Sequence, residues 1–484
     1  MARFTELGQD EDLEEAILLH RQALELRPAS HPDISIFLNN LALALGIKFD
    51  HSGHPEDLEE SILLHREALR LHPASHPDRS MCLNNLATVL RVQFNESGIQ
   101  EELEEAICIF HQCLNTLIKG HPSTCLYSHG QGRAHFTAYS HTNESKYLHK
   151  AMKFFRVAVK CEASPASQRF HAAKQWASFA DFRHESALDA YHAAIQLLPR
   201  LAMLGLSLPS RQQALTSGSD GLTRAAAACA IRSGHFDEAA EALEEGRGVF
   251  WSQALQLRTP MTDLRDVAPE LEQKLSRISL ALEQGSLRDA SSGLPDATSR
   301  AISMEQEASH FRRLNDEWLQ TLEEVRQING FHDFLRPRRI STLLGATNKR
   351  PVVIFNAGDT DCAGLILTPT GVQHVPLPYL TCANLNRLVK LIQIVTAPGG
   401  SRDGSLPESN RARIEDLVRQ MPPLSETLQL LSEPLKERHL ARRASGTAGQ
   451  PDDVFRVVLG TLWKSEVEPV IRQLGFEVSS LYDE

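Results

Sequence analysis

The sequence predicts a mostly α-helical fold: a solenoid of stacked helix pairs, then a helical hairpin, then a small, incomplete α/β region. Three observations predict it. The first third of the chain repeats with a period of 45 residues. Apolar residues within each copy recur at helical spacing. After Arg350 the pattern gives way to short apolar runs bounded by turn residues. At ~150 residues per domain, 484 residues allow about three domains. The expected boundaries are 1–160 for the tandem repeats, 161–260 for degenerate helices, 261–335 for the hairpin and 336–484 for the α/β region.

Asp12-Leu-Glu-Glu-Ala-Ile-Leu-Leu-His20-Arg21 returns as Asp57-Leu-Glu-Glu-Ser-Ile-Leu-Leu-His65-Arg66, and more weakly at 102–107 and 147–152. Phe37-Leu-Asn-Asn-Leu-Ala42 returns as Cys82-Leu-Asn-Asn-Leu-Ala87, and Ala29-Ser-His-Pro-Asp33 as Ala74-Ser-His-Pro-Asp78. One helix pair cannot cover its own apolar stripe, so stacked copies must cover one another. Leu13, Ala16, Ile17, His20 and Leu24 form that stripe. His20 and His65 therefore read as core histidines rather than metal ligands. Asp12 with Glu15, and Asp57 with Glu60, have capping-box spacing. Pro32 and Pro77 push the preceding histidine out of the helical region, so that Asp33 and Asp78 can cap the next helix.

From 161 to 256 the helical pattern persists without a strict period, and Ile231 to Ala242 reads as one more degenerate copy. Residues 264–284 and 301–328, around a Gly/Ser-rich turn containing Gly285 and Gly293, predict an antiparallel hairpin. Pro351–Asn356, Gly364–Thr368 and Val372–Val375 predict three short antiparallel strands. A helix near Ala383–Val395, a loop over 398–404 and a helix over 454–474, interrupted at Pro469, complete the reading.

The 45-residue copies resemble the tetratricopeptide repeat, in a long variant carrying Leu-Asn-Asn-Leu-Ala, over roughly residues 1–160. The resemblance implies a concave groove that binds a protein or peptide segment, with Asn39, Asn40, Asn84 and Asn85 as its partner-binding residues. The competing reading is that one asparagine of each pair satisfies a neighbouring helix. Further on, Leu243-Glu-Glu-Gly-Arg-Gly-Val-Phe-Trp251 through Arg258, then Phe334-Leu-Arg-Pro337, then His374-Val-Pro-Leu377 and Leu462-Trp463 resemble the CHAT family, caspase-like proteases fused to such repeats. That family's catalytic segments are a His-Gly and a Ser-Ala-Cys-like segment. Neither follows Gly475 in this chain. His129-Gly130 falls on a repeat helix, and Cys362 and Cys382 have no downstream His-Gly partner. The expectation is an interaction scaffold with a truncated, non-catalytic CHAT region and no catalytic residues. The alternative is the N-terminal part of a CHAT-type cysteine peptidase.

Composition narrows the partners. Net charge −11 and 23% charged residues give no basic excess for nucleic acid. No apolar run of ~18 residues suits a membrane span, and no secretory leader opens the chain. Eight scattered cysteines without a C-x-x-C pair imply neither zinc nor a disulfide framework. A cytoplasmic chain without cofactor or metal is expected. Its unfinished sheet would leave an unpaired edge suited to self-association. Gly460-Thr-Leu-Trp-Lys464-Ser465 lacks the glycine before lysine that a phosphate loop needs, and Arg336-Pro-Arg-Arg339 reads as a solvated link. Arg442-Arg-Ala-Ser445 matches a basophilic kinase site.

Overall fold

Each repeat copy folds as a pair of helices joined by short turns. In this computed structural model, residues 10–26, 31, 33–72, 76, 78–201, 221–247, 249–286, 297–358, 362–378, 380–396, 408–420 and 458–475 are described. They fall into two units, 1–201 and 202–484. Pro32, Pro77, the 398–404 loop, the Arg442–Ser445 motif and the side chain of Trp251 lie outside the described part.

The first unit is all helix: α1 Asp10–Glu25, α2 Ile34–Ser52, α3 Pro55–Leu71, α4 Arg79–Ser97, α5 Gln100–Asn115, α6 Thr124–Thr142, α7 Ser145–Lys160, α8 Ala166–Ala180 and α9 Ala187–Leu201. Every helix packs on the next, and α2, α4, α6 and α8 also touch one another in succession. The stripe residues become the core, with Leu58, Leu90, Phe94, Leu103 and Phe110 in one continuous cluster. Ala42, Ala87 and Ala106 are fully buried, where a larger side chain would hold neighbouring helices apart.

The period extends to the backbone. Gly53, Gly98 and Asn143 end α2, α4 and α6 in the left-handed region, each N–H donating to the carbonyl of Phe49, Phe94 or Tyr139. Glycine reaches that region without Cβ strain, and asparagine is one of the few residues that tolerates it. The starts of the helices differ from the sequence expectation. Asp33 and Asp78 stand at the N-caps of α2 and α4, but neither carboxylate caps the helix. Their ψ angles of 3° and −4° depart from the extended geometry that aims a capping side chain at the first turn. Histidine fastens the turn instead. His31, His76 and His121 accept, through Nδ1, the backbone N–H two residues on, at 3.2, 3.2 and 3.1 Å. Likewise α3 begins at Pro55, which places Asp57 inside the first turn rather than in a capping box. There it meets the helix dipole and pairs with Lys48 Nζ at 3.6 Å. Arg21–Glu60 and Arg66–Glu105 are the same ion pair one period apart, at 2.7 and 2.8 Å. Both are exposed, so each contributes less than about 1 kcal/mol.

The second unit holds α10 Leu222–Arg232, α11 Phe236–Arg247, α12 Val249–Arg258, α13 Thr262–Val267, α14 Pro269–Ser286, α15 Ala297–Arg326 and α16 Ile340–Gly345. A sheet of β1 Val352–Ala357, β2 Cys362–Thr368 and β3 Gly371–Pro376 follows, then α17 Cys382–Thr396, α18 Glu408–Arg419 and α19 Glu468–Gln473. The expected hairpin is α14 on α15: Leu275, Ile278 and Leu282 meet Phe311, Trp318, Leu322 and Val325. Trp318 Nε1 donates to Ser279 Oγ at 3.2 Å.

The sheet is antiparallel in the order β1-β2-β3, with Val352 opposite Leu367 and Ala363 opposite Pro376. β2 is central and buried along nearly its whole length. Cys362, Ile366, Val375 and Leu377 pack against Val470 of α19. Among the described residues, nothing pairs with the outer edges of β1 and β3 as a strand. The interruption expected at Pro469 takes the form of a π-helical turn, Trp463–Val467, just before it. The wider turn absorbs the missing N–H of proline. Among the described residues, no helix is long and apolar enough to cross a membrane.

Candidate functional site

The period also builds a cavity of about 380 Å³ in the first unit. Its wall is made of register-equivalent positions: Leu43, Thr88 and Arg133; Gly46 and Arg91; Asn84 and His129; Asn85 and Gly130; His65 and Phe110. Members of each set stand 45 residues apart. The backbone of the wall is therefore repeated, and substitutions at these few positions set its chemistry.

Three of the four expected asparagines form one chain of hydrogen bonds. Asn84 Nδ2 donates to Asn85 Oδ1 at 3.3 Å, and Asn85 Nδ2 donates to Asn39 Oδ1 of α2 at 3.2 Å. Asn39 and Asn84 are buried, and Asn85 is half-buried. Each amide nitrogen donates one bond here and carries a second N–H. Asn84 and Asn85 line the cavity, Asn39 reaches it only through Asn85, and Asn40 is half-buried and off the wall. The pair thus satisfies a neighbouring helix and presents amides to the cavity together. The same step recurs two periods on, between α6 and α8, where His129 Nε2 lies 2.8 Å from Gln175 Oε1. Since the amide oxygen can only accept, the imidazole donates.

Burial holds the imidazoles neutral. His65 and His129 are both pushed down to about 4, chiefly by desolvation. His65 is fully buried, and among the described residues neither ring nitrogen has a hydrogen-bond partner. The cations differ. Arg91 is 7% exposed, and Arg133 stands half-buried in the same cavity wall. Arg91 is pushed down to about 10 by burial and then by the charge of Arg133, with Asp50 acting the other way. Arg133 is lowered by burial against the same aspartate.

Two other arrangements have the look of chemistry. Ser35 Oγ lies 2.7 Å from His72 Nε2, and Cys82 Sγ 3.4 Å from His72 Nδ1. Cys82 is 1% exposed, and burial pushes its thiol up to about 11. A thiol held protonated and out of reach is a packing element, not a nucleophile. In the second unit the Cys382 thiol donates to Gly358 O at 3.0 Å, and His374 stacks on Phe236 with ring centres 5.2 Å apart. His129-Gly130 lies in α6, as its helical context implies. Among the described residues, no three His, Cys, Asp or Glu side chains converge as a metal site.

The sequence reading missed Arg91, Arg133, Asp50 and His171, all of which line the cavity. A signal for the arginines was present. Overlaying the copies at the 45-residue period puts Arg91 where α2 has Gly46, and Arg133 where α2 and α4 have Leu43 and Thr88. Charge at a position that is small or apolar in sister copies marks a wall residue. No protein-family model and no curated protein matches this chain.

Proposed function

We propose that the first unit is a tetratricopeptide-like α-solenoid that docks a peptide segment of a protein partner in the Asn84–Asn85 cavity. It works as an interaction scaffold carried on the same chain as a CHAT-like region. The observation behind this is the reuse of identical register positions for the cavity wall, with amide and charged groups converging on an otherwise apolar pocket. A few polar groups on an apolar wall are the usual composition of a binding site. Photo-crosslinking tests it. A crosslinking residue at Leu43, exposed on the wall, should capture a partner peptide, and one at Leu19, exposed on α1, should not. Equal capture at both positions, or capture undiminished by Asn85→Ala, argues against the groove.

The peptidase alternative rests on the same CHAT resemblance, to which one contact belongs. Gln256 Nε2 donates to Leu335 O at 3.0 Å, joining two of the stretches that resemble the CHAT family. Sequencing the 3′ end of the transcript tests it, since codons for a His-Gly and a Ser-Ala-Cys segment would favour that reading.

A further inference from the structure

Two thiols of the second unit meet at one peptide group. Cys382 Sγ stands 3.0 Å from the carbonyl oxygen of Gly358 and 3.5 Å from that of Ala357. Cys362 Sγ stands 3.9 Å from the same Gly358 oxygen. The two sulfurs are therefore no further apart than those two spans laid end to end. The chain brings them there from opposite sides. Cys362 opens β2 opposite Ala357, the last residue of β1. Past β3 the backbone folds back on it. The Leu377 N–H donates to Cys362 O at 3.1 Å, and Leu377 and Leu380 share a core with Cys362. Thr381 Oγ1 accepts the N–H of Asn384 at 3.1 Å, so α17 starts at a side-chain cap with Cys382 in its first position. Both residues stand as thiols, Cys362 buried and Cys382 half-buried. Hydrogen bonding alone does not account for the pair, because a thiol is a weak donor and a hydroxyl would serve the same oxygen better. What two neighbouring sulfurs add is oxidation chemistry.

We infer that Cys362 and Cys382 form a reversible redox pair, which hydrogen peroxide closes to a disulfide. Cys382 is the more accessible of the two and reacts first, as its thiolate. Its sulfur bonds to one peroxide oxygen, the O–O bond breaks, and the other oxygen leaves as hydroxide and takes up a proton. The Cys362 sulfur then gives up its proton, bonds to the Cys382 sulfur and expels the sulfenic oxygen as water. Overall the two thiols lose two electrons and two protons, and one peroxide becomes two waters. Turning either side chain to another rotamer brings the sulfurs together, and Cys382 has the room to turn. The bridge fastens β2 and β3 to the start of α17, so oxidation tightens this part of the second unit. A small thiol reopens it by exchange. The inference stands apart from the docking reading, which concerns the first unit.

The test uses the full chain, reduced, freed of reductant and treated with a small excess of hydrogen peroxide. Mixing unlabelled with heavy-isotope-labelled chain tells bridges within a chain from bridges between chains. Digestion at Tyr379 separates the two cysteines, and mass spectrometry maps every linked pair. The expected product is a Cys362–Cys382 bridge within one chain, about tenfold above any other pair and reversed by glutathione. In Cys362→Ala, which keeps the buried position small and apolar, dimedone should trap a sulfenic acid at Cys382. In Cys382→Ala the bridge should be lost and Cys362 should stay untrapped. Unfolded in urea, the chain should instead favour Cys108–Cys113, the pair closest in sequence, because the shortest loop closes most readily. Oxidation of exposed Cys108 without a Cys362–Cys382 bridge overturns the inference. So does a bridge that forms only between chains, or an equal preference for Cys362–Cys382 in urea. Trapping at Cys362 and not at Cys382 overturns the order of attack.

Discussion

Gly130→Ala is the sharpest test of the repeat geometry. A Cβ at Gly130 meets the ring of Phe110: Cε1 well inside contact distance, Cζ at 2.8 Å and Cδ1 at 3.0 Å. Phe110 is fully buried, so its ring must move against packed neighbours or into the cavity it lines. Overpacking of this kind costs about 1–3 kcal/mol. Replacing glycine by alanine inside a helix returns about 1 kcal/mol. Contacts this close, on a ring that cannot swing free, place the cost in the upper half of that range, so the net expectation is a loss of about 1–2 kcal/mol, a roughly 5- to 30-fold larger opening constant for α5 and α6. Hydrogen exchange on peptides from 100–142 in the full chain reads it directly. The sister copy supplies the control. One period earlier the pair is His65 with Asn85, a smaller ring facing a residue that has a Cβ. Phe110→His should therefore relieve Gly130→Ala, with the double substitution milder than the sum of the singles by about 1 kcal/mol. Unchanged exchange in Gly130→Ala, or strict additivity, would refute the reasoning.

Acid should loosen the first unit. His65, His129 and His135 are each pushed down from 6.5 to about 4, mainly by burial. Above the unfolded value both states are neutral and nothing is lost. As pH falls from 6.5 towards 4 the unfolded chain takes protons the folded chain refuses, so each histidine removes up to about 3 kcal/mol, and the loss levels off below 4. Denaturation midpoints should fall steeply between pH 6.5 and 4.5, less so in His65→Leu, and a flat profile would contradict this. Gly98→Ala should cost about 1 kcal/mol through its φ of +70° alone, because nothing lies within 4 Å of the added Cβ. Gly98→Asn should be milder in the same melting experiment, since Asn143 holds the equivalent turn. Gly246→Ala should destabilise α10 and α11 by driving its Cβ into Thr223, whose Cβ and Oγ1 stand 2.8 and 3.2 Å away. Thr223→Ala, which removes the nearest atom but keeps the Cβ at 2.8 Å, should restore part of the loss in hydrogen exchange over 221–247, and Thr223→Gly more of it.

The helices, the hairpin, the three strands and the break before Pro469 were legible because each is set by local pattern: apolar spacing, turn residues and a missing N–H. The asparagine pairs were legible by repetition, yet their number misled. Asn39, Asn84 and Asn85 join one hydrogen-bonded chain, whereas Asn40 stands off the cavity wall. Successive helix residues differ by about 100° in direction, and only the packed neighbours decide which one faces a cavity.

By itself the sequence determined the 45-residue period and with it which backbone positions are equivalent from copy to copy. Turn chemistry and burial patterns follow from residues close together in the chain, so they can be read from a string. Only the tertiary structure decided that histidine rather than aspartate fastens the connectors, and that Arg91 and Arg133 look into one cavity. Those outcomes depend on distances between atoms far apart in sequence and on how much water each charge loses, and a one-dimensional pattern fixes neither.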